Sequence, residues 1–541
     1  MSERHDPERH VSERHVSELR AVVVGGGVAG LVAAREIAKI GVRVTILEAT
    51  DAAGGALAQV QVAGLTVDSG AESYATRGGH VAALVHDLGL DDQIVKPNPQ
   101  GAWLRLPDAA GGELTIPMPK GGVLGIPSNP FADDVRRALG WGGAWRAYFD
   151  RVMPVLAIGR VHNLGRLVEK RMGRKVLERL VWPVAGGVYS ASPYDLEVDL
   201  AAPGLNKALT RAGSLSGAIA LLRGNAKPGS AVSGLRGGMY RLVEALVESV
   251  QTLGGELRTN ARVAAIESLR AGDVTAPETS SPSSPADSRA IDAARSSRTA
   301  AGGPAHADAV RFVTPRWRTV LADGETLDSD FLVLAAPESV TRALLSELPG
   351  SEPLRQALDD VPDGPAPIEL VTLVLDAPAL DSYPRGTGIL VAPGSSVRAK
   401  AMTHSDAKWS WLAERAAGDA PHRHVIRLSY GRQGDTDSTA ALGDAELVAQ
   451  ALADASILFD TPLTAEQVVD AARTPWRGTV PVATIGHRQA AERVREAVER
   501  FEGLDVAGAW LSGTGLASVV PDAAAAASRV RHAVVAETSM P

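Results

Sequence analysis

The run AVVVGGGVAG at residues 21–30 sets an apolar strand against three glycines, Gly25, Gly27 and Gly30, and a second apolar run, VRVTILE, ends on Glu48. Glycines at this spacing permit a tight turn, close backbone approach to a ligand and close packing of the next helix on the strand. The helix LVAAREIAKI that follows begins with N–H groups lacking intrahelical acceptors and with partial positive charge, which suits a pyrophosphate. An acid about twenty residues further on, here Glu48, is placed for the hydroxyls of an adenosine ribose. Together these features predict a dinucleotide-binding βαβ unit. Gly25, Gly26, Gly27, Val28, Ala29 and Gly30 form its turn, with Glu48 and Ala49 at the ribose end.

A second glycine pair, Gly54-Gly55, lies six residues beyond Glu48, and a Gly513-Thr514-Gly515 turn precedes a C-terminal helix over about 518–531. A nicotinamide-only enzyme has no use for either, whereas an FAD protein must pass the pyrophosphate again and supply N–H groups near the flavin. By itself Gly54-Gly55 fits an ordinary loop equally well. Composition agrees with an organic cofactor: zero cysteines exclude thiolate catalysis, iron–sulfur clusters and Cys-based zinc sites. A net charge of −8 speaks against a nucleic-acid partner. The first nineteen residues have no apolar signal core, and no run of about 18 apolar residues occurs, so a soluble, cytoplasmic protein is expected. The repeated SERH units carrying His5, His10 and His15 read as a solvated tail, and no metal site is expected.

A chain of 541 residues exceeds one ordinary core. The expected class is α/β (α+β overall): a Rossmann-like domain from 19–85, 232–345 and 475–541, a mixed-sheet substrate domain from 86–130 and 346–474, and an α-helical domain over 131–231. Residues 1–18 are expected as a disordered tail. The Ser-, Pro- and Ala-rich stretch 271–308 is expected as a disordered insertion on a hairpin tip, since the flanking strand runs contain an Asp323-Gly324 turn.

The segments VDSGAESYATR (67–77), IPMPKGGVLGIP (116–127), GGVYSASPYDLEVDLAAPGL (186–205), AKAMTHSDAKWSWL (399–412) and WLSGTGLASVVPDA (510–523) sit beside GGGVAGLVAA (25–34). On these motifs the chain resembles the FAD-dependent protoporphyrinogen and coproporphyrinogen oxidases of haem synthesis, from about Ala21 to Val530 apart from the insertion. The resemblance implies a flavin amine oxidase-type FAD domain and FAD contacts from the 25–30 turn, Glu48, Ala49, Gly54 and Gly55. Gly70, Ala71, Glu72 and Ser73 would pass beside the flavin. It further implies contacts from Val263 through its backbone, from Trp409, and from Gly513, Ser518, Val519 and Val520; Arg77 would face a substrate propionate or the flavin. Trp409 reads equally as a core aromatic, Val263 as an ordinary strand residue and Arg77 as a surface cation. In that family an Arg usually precedes the second glycine pair and a Lys or Arg follows it, whereas here Ala52 and Ala56 stand there.

The implied reaction is removal of hydride equivalents from the meso carbons of a porphyrinogen to the flavin, with electrons passed on to O₂ and no side-chain nucleophile. His404 in THSDAKW reads as a structural histidine. The helical stretch Arg146–Arg179 carries a local charge of +6, which suits a substrate with several propionates and also peripheral contact with an anionic membrane; a solvated helix face is the plain alternative. Coproporphyrinogen III, with four propionates, is the favoured substrate. Protoporphyrinogen IX, another flavin amine oxidase or desaturase reaction, or a non-catalytic flavin- or porphyrin-binding role are the alternatives. Product handover to another haem-pathway enzyme would follow from such a place.

Overall fold

A computed structural model describes residues 16–108, 111–153, 160–224, 231–269, 316–361, 367–431, 439–476 and 483–539. The expected 271–308 insertion and tail residues 1–15 lie outside them. Val16–Glu18, which the sequence reading placed in the tail, form a 3-10 turn, with Val16 packed against the core.

Five parallel strands form the dinucleotide sheet, in the order Glu256–Arg258, Arg43–Leu47, Arg20–Val24, Phe331–Leu334, Leu504–Val506. Both faces are covered, as the near-continuous apolar strands require. Val23 and Val333 face a core shared with helices Val28–Ala38, Tyr240–Thr252 and Leu516–Ser539. Their neighbours Val22, Val24, Leu332 and Leu334 face a second core with Glu338–Ser346, Glu352–Asp359 and His487–Val498. The Val263–Ser268 and Trp317–Leu321 strands pair antiparallel, and the stretch expected as an insertion lies in the sequence between them, outside the described residues.

Seven strands form the second sheet, ordered Val468–Trp476, Ile368–Asp376, Arg423–Tyr430, Ala401–His404, Gly388–Val391, Trp103–Pro107, Glu113–Pro117. Only the Gly388–Val391/Trp103–Pro107 pair is parallel; helix Asp444–Phe459 covers one face. Helices from Asp133–Tyr148 to Leu215–Arg223 build the third unit around Leu167, Val168, Leu177 and Leu209, with Leu104, Leu106 and Ile116 of the sheet in the same core. Two expected boundaries move. Leu88 and Leu90 pack with the dinucleotide domain, extending it beyond 85. Leu354, Ala357, Leu358 and Val361 do likewise, so 346–361 leave the substrate domain. An amphipathic helix reads the same whichever core it covers, which is why the sequence misassigned it.

The basic stretch is not one solvated face. Arg171 is buried on the fully buried Asp150, whose carboxylate accepts Arg171 Nε at 2.5 Å and the Leu215 and Ser216 N–H groups at 2.9 Å, at the start of helix Leu215–Arg223. Arg146 donates to the carbonyls of Lys170 and Arg171, both at 2.9 Å, closing helix Leu164–Met172. Asp150→Ala strips a buried guanidinium of its partner and should cost about 3–5 kcal/mol. Chemical denaturation should show that loss, with Asp150→Asn losing less.

Candidate functional site

The first strand ends in a turn held from several sides. Gly25 adopts φ +109°, and a Cβ there would lie 2.8 Å from the Ala335 carbonyl oxygen; a Cβ on Gly30 would lie 1.9 Å from the Gly25 carbonyl oxygen. Gly27, the N-cap of helix Val28–Ala38, differs: a Cβ there meets nothing within 4 Å. The glycine is free of packing where the helix presents its unpaired N–H groups, which leaves room for a ligand.

Glu48 Oε2 accepts the Gly26 N–H at 2.8 Å, and Oε1 accepts Thr50 N–H and Oγ1–H at 2.9 and 2.8 Å. This fixes the carboxylate beside the turn with acceptor capacity remaining. Ala49 lies between them, and Asn260 and Ala261 donate to the Thr50 and Glu48 carbonyls at 2.7 and 2.8 Å, bringing Val263 alongside. The second glycine pair returns directly to the first: Gly54 forms a parallel bridge with Gly27 and donates to the Gly26 carbonyl at 2.9 Å. Gly55 is so near that its Cβ would lie 3.3 Å from Gly27 Cα. Ala52 and Ala56 are exposed there and offer no charge.

Residues 69–73 brace this pass, with Ser69 and Ala71 donating to the Ala58 and Ala56 carbonyls at 2.9 and 3.0 Å. A Cβ on Gly70 would strike the Ala56 oxygen at 2.2 Å. Beneath the segment is a charged cluster that the sequence reading missed. Arg427, on the Arg423–Tyr430 strand, donates to the Asp68 and Gly70 carbonyls at 3.2 and 2.6 Å and pairs with Glu72 Oε1 at 3.2 Å. Lys408 and Ser405 donate to the same carboxylate at 3.2 and 2.9 Å. Burial pushes the Glu72 carboxyl up, but the Arg427 and Lys408 charges outweigh it and hold the group below its ordinary range. Burial also pushes Asp68 up to about 7, against the Met239 and Tyr240 N–H groups that it accepts at 2.9 and 3.0 Å. Trp409 is buried against Gly234, and with Val67, Asp68, Glu72, Ser405 and Arg427 it lines one cavity.

The C-terminal turn has positive φ at Gly513 and Gly515 with no neighbour near either Cβ position, and opens helix Leu516–Ser539. Ser518 is half-buried there, while Val519 and Val520 turn into the core around Val28–Ala38, so what they offer at this helix start is backbone. Arg77 is exposed, and its charge is felt at Tyr189 of the helical unit. The structure thus gathers 25–30, 48–55, 69–73 and 260–263 at one end of the sheet, brings Trp409 beneath 69–73, and leaves Arg77 toward the helical unit. Open space at Gly27, a fixed ribose-side carboxylate and a second glycine pass make these residues a fit for FAD.

The family model for flavin containing amine oxidoreductase matches residues 28–295. Coproporphyrinogen III oxidase of Mycobacterium leprae (strain TN) is 27% identical, covering 96% of this chain and 98% of that protein. The Bacillus subtilis (strain 168) protein of the same name is 24% identical over 94% and 97%. Among solved structures, an Exiguobacterium sp. 255-15 protein superposes with a TM-score of 0.72 at 24% identity, covering 97% of this chain and all of that one. Cyclohexylamine oxidase of Brevibacterium oxydans IH-35A superposes with a TM-score of 0.58 at 14% identity over 95% and 99%. The fold is the flavin amine oxidase type, and the molecule is an FAD-dependent oxidoreductase. Over residues 28–295 the chain is similar to the flavin-containing amine oxidoreductases. No helix of the described residues is long and apolar enough to cross a membrane.

Arg427→Ala leaves Glu72 with a weaker set of partners and two carbonyls without a donor, and should cost about 3 kcal/mol. Arg427→Lys should recover little of it, because an ammonium cannot fork between carboxylate and carbonyls. Unfolding and FAD titrations of both variants provide the check.

Proposed function

We propose that this protein oxidises coproporphyrinogen III to coproporphyrin III, with FAD in the glycine cradle and O₂ as the final electron acceptor. The observation that carries the reading is the double glycine pass, Gly27 against Gly54, with residues 69–73 clamped beside it by Glu72 and Arg427. The names of full-length relatives support the substrate. In this reading the N–H groups of Gly27, Val28, Ala29 and Gly30 meet the pyrophosphate, Gly25 and Gly26 shape the turn with their own N–H groups held by the Leu47 carbonyl and Glu48, and Glu48 with Ala49 meets the ribose. Gly54, Gly55 and Gly513 complete the cradle, while Gly70, Ala71, Glu72, Ser73, Val263, Trp409, Ser518, Val519 and Val520 surround the flavin end. Bound FAD supplies the two-electron acceptor. The chain's own part is to orient the macrocycle, exclude water and neutralise carboxylates, with Arg77 as a propionate anchor. Peripheral contact with an anionic membrane is supported by the exposed Trp141, Trp145 and Phe149 beside exposed Arg137 and Arg151. Such a surface would also serve handover of product to another haem-pathway enzyme.

Purified protein should show flavin absorbance bands, and coproporphyrinogen III should yield porphyrin fluorescence with consumption of O₂. Turnover of protoporphyrinogen IX alone would reassign the substrate, and failure to hold added FAD would sink the oxidase reading. Ala56→Lys places a cation next to the Gly27–Gly54 bridge and should tighten FAD by about 1 kcal/mol, roughly fivefold, at low salt. Unchanged affinity would refute the assignment of that position to the pyrophosphate.

A further inference from the structure

His404, Asp406 and His424 form a buried group apart from the cradle, at 0%, 1% and 4% exposure. His404 lies at the end of the Ala401–His404 strand, Asp406 in the turn that follows, and His424 on the paired Arg423–Tyr430 strand. His404 Nε2 is 3.2 Å from His424 Nδ1, His424 Nδ1 is 3.0 Å from Asp406 Oδ2, and His404 Nε2 is 3.4 Å from Asp406 Oδ1. One ring nitrogen, His424 Nδ1, thus lies between the Asp406 carboxylate and His404 Nε2, so a proton there serves only one of the two.

We propose that these three side chains form a binding site for Zn²⁺ or a cation of its class. A tetrahedral ion with bonds of about 2.0–2.1 Å has ligand-to-ligand edges of about 3.3 Å, close to the 3.2 Å between the two imidazole nitrogens, while the Asp406 carboxylate offers Oδ2 at 3.0 Å to His424 and Oδ1 at 3.4 Å to His404. Two imidazoles and a carboxylate are the donor set that such an ion takes. The surroundings fit as well. His424 Nε2 lies 3.2 Å from Asp381 Oδ1, the outer carboxylate that fixes the tautomer of a metal-bound imidazole. Asp406 is oriented by the Val425 N–H at 2.8 Å. Asp381 is half-exposed and also bonds His422 at 2.9 Å, which gives the ion a route from solvent. Tyr383, held at φ +50°, packs its ring edgewise on both imidazoles. Such strain in a non-glycine residue gathers at functional sites. The ion would pin the ribbon that sends Ser405, Lys408 and Arg427 to Glu72, so its role is structural.

The test is equilibrium dialysis of the FAD-loaded protein, first stripped with a chelator, against Zn²⁺, with bound metal measured by mass spectrometry. The wild type should retain one more tightly bound Zn²⁺ per chain than His424→Gln. Asp381→Asn should weaken that site about 10–100-fold. His5, His10 and His15 of the tail are common to all variants and cancel. Flavin absorbance and circular dichroism report whether His424→Gln folds, and if it does not, Asp381→Asn at its half-exposed position decides. Equal zinc retention and affinity in wild type and Asp381→Asn, or no tight zinc in the wild type, would overturn the site and leave a hydrogen-bonded network only.

Discussion

Helix Val28–Ala38 rests on the first strand so closely that one methyl group at Gly30 would overlap the Gly25 carbonyl at 1.9 Å and press on Val23 Cγ1 at 3.3 Å. That approach sets where the helix begins and where its N–H groups aim. Every later pass is built on it: Glu48 takes the Gly26 N–H, Gly54 donates to the Gly26 carbonyl, and Ser69 and Ala71 hang from the 3-10 turn beyond Gly54. Two kinds of glycine result. Gly25 and Gly30 are required by packing, as in any tight strand–helix junction, whereas Gly27 is open to solvent-side space that packing does not use. The second kind points to a ligand.

The 69–73 segment takes its position from the other sheet. A carboxylate buried as deeply as Glu72 is costly unless paired and hydrogen-bonded, and here Arg427, Lys408 and Ser405 converge on it. Arg427 spends its remaining N–H groups on the Asp68 and Gly70 carbonyls, and Trp476 donates its indole N–H to Ser69 at 2.9 Å. The segment 68–72 is therefore placed by the seven-stranded sheet, through Arg427, Lys408 and Trp476. A shift between the two units would be felt first at residues 68–72, where their hydrogen bonds meet.

What was legible in the sequence was local. Gly25, Gly27, Gly30 and Glu48 announce their unit because strand, turn and helix periods change within a few residues. The C-terminal return was readable in outline, an apolar run VAGAWL before a glycine turn, but the strand is Leu504–Val506 and Ala509–Ser512 form a short helix. Arg427 was not: alternation in RHVIRLSY marks a strand, but its partner Gly70 lies 357 residues earlier, and nothing local encodes that meeting. Counting charges over 146–179 equally could not reveal that Arg171 is buried on Asp150 and that Arg146 closes a helix. His404 shows the same limit, since Asp406 is two residues away but His424 meets it only when neighbouring strands are in register.

In the proposed reading the alanines at 52 and 56 change how the cofactor's charge is met rather than whether it is met. With neither position cationic, the pyrophosphate there would face the oriented N–H groups of Gly27 to Gly30 at the start of the helix. Their pass is held in place by backbone bonds from Gly54 to Gly26 and from Ala71 to Ala56. Dipoles act over the first helical turn and need a fixed geometry, whereas a lysine or arginine acts at longer range and is screened by salt. A cradle that relies on dipoles must be rigid. The overlaps that forbid side chains at Gly25, Gly30 and Gly70 provide that rigidity, so the tight packing of the turn and the missing cations belong to one design.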